Sequence, residues 1–157
     1  MLPKSFSLYL FSYLIITLSY SFFLKKKILI DCIVLSILYL VRILIGSAIT
    51  GDGITFWFMS FSFFFFLSLA FLKRYIELLN LEETNSPVGG RAYQKDDQSL
   101  ILSFGQSSGL ISILVFSLYL YEKNAIEFQN DYLISWLIIP LLIYWITRIW
   151  FLAGRGL

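Results

Sequence analysis

ITFWFMSFSFFFFLSLAFL, from Ile54 to Leu72, decides the class of fold. It carries no charged residue and has four consecutive phenylalanines, Phe63 to Phe66, at its centre. A helix of about 20 apolar residues is what a bilayer core about 30 Å thick requires. Helical patterning continues past the apolar run through Lys73, Arg74 and Glu77 to about Leu81. On the other side, Gly51-Asp52-Gly53 predicts a very tight turn, because glycine permits left-handed backbone and aspartate bonds its own main chain.

Further from that centre, four more segments read the same way. Ile28 to Thr50 is a span interrupted by Asp31 and Arg42, and Ser5 to Leu24 is an uncharged span that ends on Lys25-Lys26-Lys27. After a polar loop, residues 82–98, containing Pro87, Gly89 and Gly90, come Ser99 to Tyr121 and Leu133 to Leu152. The expected architecture is all-α: a single polytopic membrane domain over residues 1–157 with about five transmembrane helices. The composition agrees, with 59% apolar, 19% aromatic and 14% charged residues, against about 25% charged in soluble domains. The first span has a basic cluster at its far end and no small-residue cleavage site, the layout of a stop-transfer helix rather than a signal peptide.

Alternating five spans sorts the twelve Lys and Arg residues. Lys25, Lys26, Lys27, Lys73, Arg74, Arg91, Lys95, Arg148 and Arg155 fall on one side, Lys4 and Lys123 on the other, and Arg42 within a span. The positive-inside rule then places loop 82–98 in the cytoplasm and the N-terminus outside the cell membrane.

Several chemistries lack their residues. The chain has no histidine and a single cysteine, Cys32, so it has no internal disulfide, histidine-based triad or ordinary zinc set. A net charge of +2 excludes a nucleic-acid surface.

The remaining polar positions each carry two readings. Arg42, deep in the second span, serves either an interhelical bond or an anionic ligand, because a charge at that depth needs a partner. Asp31 lies eleven residues earlier on the same face, too far along the axis to pair with it, and the Lys25–Lys27 edge is its expected partner. Lys73 and Arg74 are either surface cations paired with Glu77 or a phosphate site at the bilayer surface. Asp96 and Asp97, before the fourth span, are either a helix cap or two carboxylates of a Mg²⁺–diphosphate site. Gly105 and Gly109 form a small-xxx-small face for helix packing, within the chain or in a homo-oligomer. Pro140 is expected to kink the fifth span.

In order along the chain, "LVRILIGSAITG", "SLAFLKRYIELL", "GRAYQKDD" and "LLIYWITRIWFLAGRGL" resemble the UbiA family of membrane prenyltransferases, nearest to its decaprenyl-phosphate phosphoribosyltransferase-like branch. The resemblance implies an all-helical fold of about nine spans, of which this chain supplies helices four to eight. The outside N-terminus fits that placement, and the chain is expected to be an internal fragment or a truncated product. The family's first acidic motif is missing, and the second stands as Tyr93-x-x-Asp96-Asp97 in place of DxxxD. The resemblance further implies Mg²⁺ at Asp96 and Asp97, with Arg42, Lys73, Arg74, Arg91 and Tyr93 as phosphate contacts. The implied activity is transfer between a polyprenyl or polyprenyl-phosphate substrate and a diphosphate-activated donor, including 5-phosphoribosyl transfer, with no turnover by this chain alone. The rival is a non-catalytic membrane protein, a transporter fragment or accessory subunit.

Overall fold

The computed structural model describes residues 4–51, 53–80, 92–127 and 132–156. Five helices carry the chain: α1 (Lys4–Phe22), α2 (Ile30–Thr50), α3 (Phe56–Leu79), α4 (Gln98–Glu127) and α5 (Tyr132–Gly154). Short 3₁₀ turns at Leu24–Lys26 and Lys95–Asp97 precede α2 and α4. No strand occurs among the described residues. The all-α bundle matches the expectation from sequence, and each helix lies within a few residues of an expected span, with α3 running through Arg74 and Glu77 as its pattern predicts.

Local chemistry sets the helix ends. Gly51 ends α2 at φ +80°, donating its N–H to Ser47 O at 2.9 Å, the left-handed stop that glycine makes without a Cβ penalty. Thr55 starts α3 by accepting the Phe58 N–H at 3.3 Å. At the other end of the bundle, Gln94 and Asp97 cap reciprocally, and the Gln94 N–H reaches Asp97 Oδ2 at 2.9 Å. Asp97 thus caps the 3₁₀ turn before α4 from its third position, with Gln94 as the N-cap, rather than serving as the N-cap expected for the fourth span.

Sequential neighbours pack, and the α3–α4 pair packs most closely. The phenylalanines of α3 face three helices: Phe66 stacks on Tyr39 of α2 at 4.7 Å, Phe61 meets Phe116 of α4 at 4.8 Å, and Phe65 stacks on Trp145 of α5 at 5.6 Å. Gly105 and Gly109 are where α4 comes nearest its partners. A Cβ on Gly105 would lie 2.2 Å from the Trp150 ring, and one on Gly109 would lie 2.8 Å from Ile146 and 3.0 Å from Ser68 Oγ. Ser68 ties the junction, donating to Gly105 O at 2.7 Å and accepting from the Trp150 indole at 3.1 Å. The glycine face is thus filled within the chain, the intrachain packing that its spacing allows.

Leu14, Leu114, Leu137 and Phe151 are all more than half exposed, so the outer surface is hydrocarbon-like on several helices. Water would tolerate no such continuous apolar surface, whereas lipid is its natural solvent. Four helices, α2 to α5, are long and apolar enough to cross a bilayer. In place of the expected first span, the described residues of α1 supply a shorter apolar helix, Phe6–Phe22. The chain turns into the 3₁₀ segment at Leu24 before the expected length is complete.

Candidate functional site

The first turn of α2, the last turns of α3 and the segment before α4 meet at one end of the bundle. Asp31, Arg74 and Tyr93 come from these three places, and each is almost wholly buried. Arg74 Nε donates to Asp31 Oδ2 at 2.5 Å, and the Tyr93 hydroxyl donates to Asp31 Oδ1 at 2.5 Å. Arg74 Nη1 continues to Glu77 Oε2 at 2.5 Å, and Nη2 to the Tyr20 hydroxyl of α1 at 3.4 Å. A buried carboxylate needs compensation from charge and hydrogen bonds together, and here both of its oxygens are engaged. Burial and the hydrogen bond to Asp31 push the Tyr93 phenol well above the ordinary tyrosine value, so it stays protonated and donating.

Tyr93 does a second job at the start of α2. Leu29, with φ +65° and ψ −39°, is the one non-glycine residue with positive φ among those described. The Ile30 N–H bonds Ile28 O at 2.8 Å across it, which makes a γ-turn of the rare, strained hand. The Leu29 N–H, turned out of the chain's own hydrogen bonding, donates to the Tyr93 hydroxyl at 2.8 Å. One phenol therefore holds both the strained entry to α2 and the carboxylate in its first turn.

The residues singled out from sequence divide into three groups. Arg74 and Tyr93 are brought together through Asp31, but as buried members of this network; a phosphate contact by either would first have to displace Asp31. Lys73 and Asp96 are exposed, and Asp97 is partly covered with one oxygen on Gln94 N. Arg91 lies outside the described residues. Arg42 stands apart on α2, stacked between the rings of Tyr13 and Tyr39 at 5.4 and 5.0 Å and donating to the Tyr13 hydroxyl at 2.7 Å. The interhelical reading of Arg42 is the one realised within this chain.

Asp31 needs a correction. Its side chain is not at the lysine edge; Lys26 and Lys27 are exposed, and the carboxylate turns inward to a guanidinium. The planar fork of arginine offers several donors from a buried position, where a lysine would bring one strongly hydrated charge. A signal for this pairing was present. Asp31 lies 21 residues before Asp52 and Arg74 lies 22 after it, so a helical hairpin about that turn brings the two level.

Asp96 and Asp97 are consecutive residues of one 3₁₀ turn, and a hard cation such as Mg²⁺ takes oxygen ligands of this kind. Among the described residues no three acidic, histidine or cysteine side chains gather. Two carboxylates, one of them already accepting from the Gln94 N–H, would need a further acidic group to hold Mg²⁺ against a diphosphate.

No family profile matches the chain, and no solved structure matches it. It is 35% identical over 160 residues to a Sinorhizobium fredii (strain NGR234) protein named "Uncharacterized protein y4nM", covering 99% of this chain and 30% of that protein. It is 29% identical over 146 residues to "Nodulation protein NoeC" of Azorhizobium caulinodans (strain ORS 571), covering 92% of this chain and 48% of that protein. The chain therefore spans less than half the length of either relative.

Proposed function

We propose that the chain is the central helical part of a membrane transferase of the UbiA type, joining a polyprenyl or polyprenyl-phosphate substrate to a diphosphate-activated donor. Phosphoribosyl diphosphate is the donor that the Tyr93-x-x-Asp96-Asp97 spacing favours. The observation that supports the reading is that the last turns of α3, with Lys73, and the segment before α4, with Tyr93, Asp96 and Asp97, lie at the same end of the bundle, joined there by Arg74, Asp31 and Tyr93. In this reading Lys73 and Arg91 would serve as phosphate contacts, and Asp96 and Asp97 would be one of the two acidic motifs of a Mg²⁺ site. Arg74 and Tyr93 position the loop through Asp31 rather than touching substrate. The clustered end faces the cytoplasm of the cell membrane. Mg²⁺ would supply charge neutralisation for the leaving diphosphate.

The length of the relatives supports testing the reading in a longer protein. The chain replaces the matching segment of the Azorhizobium relative, and Mg²⁺-dependent transfer from phosphoribosyl diphosphate to polyprenyl phosphate is assayed in membranes. Transfer is expected from the chimera and not from the 157-residue chain alone. Asp96→Asn with Asp97→Asn should lower it on the order of 100-fold or more, the scale of losing transition-state charge stabilisation. Unchanged transfer in that double variant, at equal membrane abundance, would remove the metal assignment. One observation favours the non-catalytic rival: each guanidinium nitrogen of Arg74 and the Tyr93 hydroxyl donates to a protein group. That reading predicts no transfer from any of these proteins.

A further inference from the structure

Between α4 and α5, with Tyr75 of α3 at its back, runs a groove of about 550 Å³. Its walls are aliphatic and aromatic, from Leu102 and Leu110 on one side to Ile146, Trp150 and Phe151 on the other. Polar groups break this surface at Gln106 on the α4 wall, at Arg155 at the mouth, at the Tyr75 phenol and at Thr147, whose hydroxyl is spent on Ile143 O of its own helix at 2.6 Å. The contacts of Trp150 with Gly105 and of Ile146 with Gly109 fix the register of the two helices. In that register Arg155 stands about six residues, or ~9 Å, nearer the membrane surface than Gln106. From Leu102 to Leu110 the groove extends ~12 Å along the axis, close to the ~15 Å of hydrocarbon in one leaflet.

Neither Gln106 nor Arg155 is satisfied within the described protein. Arg155 lies over the Phe151 ring at 4.5 Å and forms no ion pair among the described residues. Gln106 is exposed and makes no hydrogen bond among them, and an amide facing hydrocarbon alone is costly. Gly154 leaves the mouth open, since a Cβ there would meet nothing within 4 Å.

We propose that this groove seats an acyl chain of an anionic phospholipid from the leaflet on the basic side, with its phosphate on Arg155 and an ester carbonyl within reach of the Gln106 amide. The groove ends near the bilayer centre, which suits an acyl chain and is too short for a polyprenyl chain of many units. The guanidinium at the mouth, which has no ion pair among the described residues, selects an anionic headgroup. The site is separate from Asp96 and Asp97, so the inference does not depend on the transferase reading.

The test is native mass spectrometry of the delipidated 157-residue chain in detergent, titrated with phosphatidylglycerol and phosphatidylcholine of identical acyl chains. Phosphatidylglycerol should bind about fivefold more tightly, the worth of one cation near an anionic headgroup. Arg155→Gln should abolish that preference, whereas Arg148→Gln, outside the groove, should keep it. Gly154→Leu should lower retention of both lipids by filling the mouth. Equal binding of the two headgroups, equal loss in Arg148→Gln and Arg155→Gln, or displacement of bound phosphatidylglycerol by equimolar polyprenyl phosphate would each overturn the proposal.

Discussion

Tyr93 and Leu29 define the most constrained point of the molecule. The strained backbone at Leu29 persists because the Tyr93 hydroxyl accepts its N–H while donating to Asp31. Leu29→Gly should therefore stabilise the fold by about 1 kcal/mol, since glycine takes positive φ without strain. Tyr93→Phe leaves a buried carboxylate oxygen and a backbone N–H without their partner and should cost about 1–3 kcal/mol. Asp31→Asn breaks a buried ion pair and should cost about 3–5 kcal/mol. Thermal unfolding in detergent, followed by circular dichroism, ranks the three; a Leu29→Gly midpoint below the parent would show that the turn is not strained. The raised phenol also has a pH consequence. The unfolded chain releases that proton near the ordinary value of 10.0 and the folded chain does not, so stability should fall as pH rises past it.

Helix packing was the most legible element-scale feature, and its partners were the least. The four-residue spacing of Gly105 and Gly109 announces close approach, and α4 does approach closely. The spacing does not say against what, because Trp150 and Ile146 arrive from another helix about 40 residues on, and helix faces are matched only after the turns are set. Gly105→Ala should cost about 1–3 kcal/mol by overpacking, since its methyl would overlap the Trp150 ring and sit 2.9 Å from Phe71 Cβ. Gly46→Ala, in α2 with open space around it, should instead gain about 0.5–1 kcal/mol. The contrast is measured in the same unfolding assay, and equal effects would mean that Gly105 does not sit in a closed junction. Asp31 shows the opposite balance. Its depth could be matched to Arg74 about the Gly51–Gly53 turn, but the lysines next to it in sequence drew the expectation away from a partner 43 residues distant.

Across the whole molecule, sidedness depends little on whether α1 crosses. Lys25–Lys27, Lys73, Arg148 and Arg155 stay together in either case, and only Lys4 changes sides. Cysteine labelling tests this directly, because the native Cys32 is fully buried and should stay silent. Lys26→Cys and Asp96→Cys should react with an impermeant maleimide from one face of sealed vesicles, and Gly53→Cys from the other. Reaction of Lys26→Cys and Gly53→Cys from the same face would overturn the expectation that α2 crosses the bilayer. The clasp at Asp31 also places a demand on synthesis. Its phenol is encoded 62 residues downstream, and at about 5–20 residues per second the ribosome needs roughly 3–12 s to reach it. Throughout that interval α2 has a carboxylate at its membrane edge and an unclosed first turn. The newborn helix pair must wait, incompletely locked, for a residue not yet translated, and a stall before the codon for Tyr93 would leave the insertion machinery holding an open hairpin.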